Sequence, residues 1–198
     1  MITSRRKQDE GRQREGLGAS VQLSELEAEW ARRLAEAEER ARTSGRSDVA
    51  DYLALRSLND MARNTGIEWL LATFTAHAGE ANRTGAGIGL THTDAHRFRV
   101  GNSTMVGRRL ALNAGVRVLT IEGGWPRTPG DGIVRGGGLA AARISHFGDP
   151  RAGVELVLVL NAEDGLPRWL VLDATGARSA AAPLEEARVR QHVAKLLH

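Results

Sequence analysis

The chain has 198 residues, 41% of them apolar and 26% charged, with no cysteine and a formal net charge of +3. These values suit a folded domain, or a domain with an appendage. The missing cysteines exclude a disulfide framework, a thiolate nucleophile and a cysteine zinc site. Basic charge is almost all arginine, with Lys7 and Lys195 the two lysines. Arginine suits bidentate carboxylate or phosphate binding, although a GC-rich coding sequence gives the same excess.

Residues 1–20 are polar, mixed in charge and aperiodic, which predicts a disordered arm. Arg5, Arg6 and Lys7 precede no apolar stretch, so the arm does not read as a secretory signal. The longest aliphatic run, Leu156 to Leu160, is far short of the ~20 residues of a membrane helix. The expectation is a cytoplasmic, soluble protein with no membrane association.

A capping box, Ser24 with Glu27, opens a first helix, with Leu26, Trp30, Leu34, Ala37 and Ala41 at helical spacing. Acid-first pairs Glu29–Arg33, Glu36–Arg40 and Glu38–Arg42 line its polar side. Ser47-Asp48 starts a second helix bearing Val49, Tyr52, Leu55, Leu58 and Met61, which Asn64-Thr65-Gly66 closes as a C-cap. Ile67, Leu70, Leu71, Phe74 and Ala78 then favour a third helix, although Thr73-Phe74-Thr75 leaves a strand open.

Past Gly85 the period becomes two. Strands are expected at 96–100, 105–112, 116–122, 139–147, 154–160 and 168–173, and a helix at 183–198. Gly115 supplies a hairpin turn. The fold class is α+β: about three helices, an antiparallel sheet of about five or six strands, and a C-terminal helix. The organisation is a disordered arm over 1–20, a helical region over 21–84 and a β-rich domain over 85–198.

His92-Thr93-Asp94-Ala95-His96 is the most chemical stretch. On a strand, alternate residues share a face, and two imidazoles with a carboxylate can hold zinc, iron or manganese. His146 and Glu122 could complete the set. Alternate strand residues lie ~6.5 Å apart, so the three ligate one ion only if a turn or bulge bends the segment. The glycines at 85, 87 and 89 depart from the dinucleotide and P-loop spacings and read as a joint. No nucleophile elbow occurs.

Trp125 begins a Pro/Gly-rich loop and is the expected exposed anchor for a partner, whereas Trp30, Trp69 and Trp169 read as core. Arg97 and Arg99 share a strand face, Arg127 lies in the loop, and Arg135 follows it. The chain therefore reads as a non-catalytic binding or regulatory module rather than an enzyme, needing no cofactor. It would recognise a protein partner through an arginine-bearing sheet face and the Trp125 loop. Two alternatives are a metal-dependent hydrolase or oxygenase using His92, Asp94 and His96, and a nucleic-acid phosphate-backbone binder. For the latter, base-stacking aromatics are scarce.

Overall fold

The computed structural model describes residue 25, residues 28–172 and residues 182–198. The expected arm and the Ser24–Glu27 capping box lie outside the described residues. Helix α1 covers residues 28–43, and α2 runs from Ser47 to Arg83. The strands follow in order: β1 (Gly89–Val100), β2 (Ser103–Ala114), β3 (Arg117–Trp125), β4 (Ala140–His146), β5 (Asp149–Leu160), β6 (Pro167–Val171) and β7 (Ala182–Pro183). Helix α3 (Glu186–Leu197) closes the chain. The seven strands form one open sheet in sequence order, every neighbouring pair antiparallel. The fold is α+β, as expected. The strand beyond the expected six is β7, whose two residues carry no alternation to read.

The expected second and third helices are one. Gly66, read as a C-cap, lies inside α2 and is buried. A Cβ there would stand 2.7 Å from the Leu158 side chain, and its carbonyl accepts a hydrogen bond from Trp169 Nε1 at 2.8 Å. The glycine is spent on close approach to the sheet, so the helix continues through it. Residues 67–83, where a strand was open, are helix.

The chain divides into two compact units, residues 1–60 and 61–198. In the first, α1 turns into α2 at Gly45, whose φ of 73° suits a residue without Cβ. Two expected ion pairs form, Glu29–Arg33 at 2.8 Å and Glu38–Arg42 at 2.6 Å. Arg40 turns instead to the Glu36 carbonyl. Exposed pairs of this kind contribute about 0.3–0.5 kcal/mol each.

In the second unit, one sheet face is covered by helices. Leu110, Leu112, Leu119, Ile121, Ile144, Leu156 and Leu158 are 0% exposed and pack with Leu70 and Phe74 of α2 and with Val189, Val193 and Leu196 of α3. Each such side chain contributes about 1.5–3 kcal/mol relative to leaving it in water. α3 needs no help to be found in sequence: Val189, His192, Val193 and Leu196 recur at helical spacing and are its buried residues.

The opposite face holds a smaller cluster of Phe98, Val100, Met105, Val134, Ala141, Val157 and Leu172. Val134 comes from the connection between β3 and β4, which contains two 3-10 turns, Pro129–Asp131 and Arg135–Gly137. The rest of that face is polar.

Candidate functional site

Strand register decides which side chains meet on the polar face. Thr93 stands opposite Arg109, Arg109 opposite Glu122, Glu122 opposite Arg143, and Arg143 opposite Glu155. The result is a row across five strands in which positive and negative side chains alternate, the stabilising order for cross-strand neighbours. A parallel row carries Thr91, Ala111, Thr120 and Ser145.

Glu122 is the fixed point of the row. It is 5% exposed, and a buried carboxylate is tolerable only when paired and hydrogen-bonded. Arg143 donates to its Oε2 from Nε at 2.9 Å and from a terminal nitrogen at 2.6 Å. His96 Nε2 lies 2.7 Å from its Oε1, and the His96 ring stacks on Phe98 with centroids 6.0 Å apart. His96 reaches Glu122 from two strands away because its neighbour on β2 is Gly107, itself opposite Gly124. No side chain stands between them.

A bulge puts His96 on this face. Between Thr93 and His96 the β1–β2 register shifts by one residue, and Ala95 adopts a φ of 52°. A one-residue slip turns every later side chain to the other face. The expectation that His92, Asp94 and His96 share a face is therefore overturned. His92 stands opposite Leu110, on the helix-covered side. Asp94 lies 3.6 Å from Arg108, whose β3 neighbour Gly123 meets Ile67 of α2, so this pair is on the same side. His96 faces the opposite way, and the bulge that could have gathered the ligands separates them.

His146 is on the helix-covered side too, where its Nε2 lies 2.9 Å from Nδ1 of His192 on α3. Among the described residues, no group of three or more histidines and acids is arranged to hold a metal ion. The His146–His192 pair is buried. Desolvation pushes the His192 ring down to about 4, assisted by the charges of His146, Arg188 and Lys195. Burial likewise lowers His146, with Lys195 lowering it further and Asp149 opposing.

Three of the four tryptophans invert their expected roles. Trp125 ends β3 and is 7% exposed, with the Arg127 guanidinium 3.8 Å from its ring centroid and Arg63 at 5.7 Å. It belongs to the core and is not an exposed anchor. Trp30 and Trp69, expected in the core, are 49% and 47% exposed, while Trp169 is buried as expected.

The other expected binding residues disperse. Arg97 and Arg99 do share a face. Arg97 bonds Asp131 at 3.1 Å, whose carboxyl is held below its usual range chiefly by the Thr128 hydroxyl. Arg135 approaches Glu155 at 3.6 Å on the other side of the sheet. Arg127 is committed to Trp125.

Arg109 is different. It sits half-buried in the row between Thr93 and Glu122, yet has no ion pair or hydrogen bond to a described side chain. Sequence reasoning grouped Glu122 with His96 as metal ligands and missed Arg143 and the ion-pair network that the three form, although part of it was countable. The β2–β3 turn is Gly115-Val116, with Ala114 opposite Arg117. Stepping back evenly from that turn puts Arg109 opposite Glu122. The register of β4 hangs on the long connection before it and leaves no such count.

A carboxylate-held imidazole is how general bases are oriented, and a guanidinium without a partner among the described residues has the fork geometry that grips a carboxylate. Compared with protein-family models, with curated proteins and with solved structures, the chain matches none.

Proposed function

We propose that the chain is a non-catalytic binding module that takes a carboxylate-bearing, extended segment of a protein partner on the polar sheet face. Arg109 is the anchoring cation. The observation that carries the reading is that Arg109 is half-buried without a partner among the described residues, beside a network that fixes its surroundings. Partly burying a guanidinium costs free energy unless an anion offsets it. The hydroxyls of Thr91, Thr93, Thr120 and Ser145 supply further donors on the same face.

The edge strand supplies a seat for the segment. Residues Gly89 to Thr93 of β1 are exposed, carry no formally charged side chain and lie at the edge of the sheet. An added strand can complete its backbone pairing there. A glutamate on that strand opposite Thr93 would extend the row and reach towards Arg109. A nucleic-acid partner fits less well, because the aromatic rings among this face's strand residues, His96 and Phe98, already stack on each other.

The test is fluorescence anisotropy with a labelled glutamate-rich peptide. Arg109→Ala should weaken binding about tenfold or more, and affinity should fall as salt rises towards 0.15 M, where the Debye length is ~8 Å. Equal binding by wild type and Arg109→Ala contradicts the proposal.

A further inference from the structure

The first unit leaves its largest apolar side chains outside. Its buried apolar residues are Leu34, Ala41 and Ala50, while Trp30, Tyr52, Leu55 and Leu58 are 49%, 61%, 57% and 61% exposed. Tyr52, Leu55 and Leu58 repeat every three residues along one side of α2. Trp30 of α1 joins them, since the Arg56 guanidinium lies 5.3 Å from its ring centroid. Two helices cannot enclose a core between them, and paired helices of this kind complete one by packing on another pair.

We infer that this helical hairpin, residues 28–60, is a self-association surface whose occupant is the hairpin of a second copy of the chain. Charge supports a second copy over a charged partner. Residues 28–60 hold seven acidic and six basic residues, so two copies carry almost no mutual repulsion. Side-chain pairing supports it too. A two-fold axis at Leu55 with the α2 helices antiparallel sets Leu55 against itself and Tyr52 against Leu58 of the second copy. In that register Asp51 meets Asn59, Arg56 meets Ala54 and Asp60 meets Ala50, so no like charges oppose one another.

Area is sufficient. An aromatic side chain can bury 150–250 Å², so the exposed halves of Trp30 and Tyr52 come to about 100 Å² each. With the two leucines at roughly the same, the four give about 800 Å² over two copies, against the ~1,200 Å² at which stable interfaces begin. The remainder has to come from the polar side chains that flank this seam on both helices.

Sedimentation equilibrium of the full chain over a wide concentration range is the test. The expected result is a reversible dimer of twice 21.3 kDa, made monomeric by Leu55→Glu with Leu58→Glu while circular dichroism stays the same and the thermal midpoint loses its dependence on concentration. Because the chain has no cysteine, Leu55→Cys should cross-link to itself with a short bis-maleimide. Val116→Cys, 89% exposed at the β2–β3 turn, should not. A monomer at every concentration overturns the inference, as does a dimer that survives the double glutamate change. A wild-type monomer that dimerises only after residues 1–24 are deleted also overturns it, by showing that the chain covers its own seam.

Discussion

Glu122 and Arg109 are register neighbours with opposite roles, and single substitutions should separate them. Removing the Glu122 carboxylate strands Arg143 and His96, which at present satisfy it with three contacts of 2.6–2.9 Å. Arg143 and His96 keep 41% and 22% of their side chains in water, so part of the loss is recovered by hydration. Glu122→Ala should therefore cost about 2 kcal/mol in urea unfolding, below the 3–5 kcal/mol of a fully buried broken pair. Arg109→Ala breaks no ion pair and should cost less than about 0.5 kcal/mol. Equal losses at the two positions would mean that Arg109 is structural, contrary to the proposed function. At this scale the sequence was least readable. Arg109, Glu122 and Arg143 are 13 and 21 residues apart in the chain, and only the Gly115-Val116 turn tied the first two together.

At the scale of elements, the sequence showed periods well and their interruptions poorly. Period two located β2 to β6, and helical spacing located α1 and α3. What it could not show was which glycine ends an element and which one packs. Gly66 resembled a C-cap but serves the approach of Leu158, so one helix was read as two. Likewise the bulge at Asp94-Ala95 has no glycine to announce it, and it moves His96 to the face opposite His92. Gly107 and Gly124 are the packing kind as well: a Cβ at Gly107 would stand 2.0 Å from the Gly123 carbonyl oxygen. Gly107→Ala should destabilise the chain by at least about 2 kcal/mol and disturb the His96–Glu122 contact, seen as a displaced His96 ring signal by NMR at fixed pH. A neutral effect would show that the strands have room to separate there.

Helix α3 adds a pH dependence. The native state favours neutral His192 and His146, whereas unfolded histidine titrates near 6.5. Protons then bind the unfolded state preferentially below that point. Stability from this pair is complete above about pH 6.5 and is lost as pH falls towards 4. The carboxyls of Asp131, Asp149 and Asp164 are lowered from 3.8, so their contribution is lost at lower pH. The urea midpoint should fall between pH 7 and 4.5 in wild type and change less in His192→Leu. A wild-type midpoint independent of pH over that span would contradict this assignment.

For the whole molecule, the polar face belongs to the second unit and the apolar helical hairpin to the first, so the two proposed activities are separable by mutation. No helix among the described residues is long and apolar enough to cross a membrane. Composition alone left the arginine excess ambiguous. In the second unit the structure commits Arg143, Arg97, Arg135 and Arg127 to Glu122, Asp131, Glu155 and Trp125, and leaves Arg109 half-buried without a partner among the described residues.

The central claim is that the polar face around Arg109, with the adjoining edge of β1, receives an acidic segment. Its most direct test is the amide spectrum of the isotope-labelled full chain during titration with a glutamate-rich peptide. Saturable shifts are expected at Gly89 to Thr93, Arg109 and Thr120, and their loss in Arg109→Ala. Shifts confined to the helices, or shifts on β1 and β2 that persist without Arg109, would contradict it.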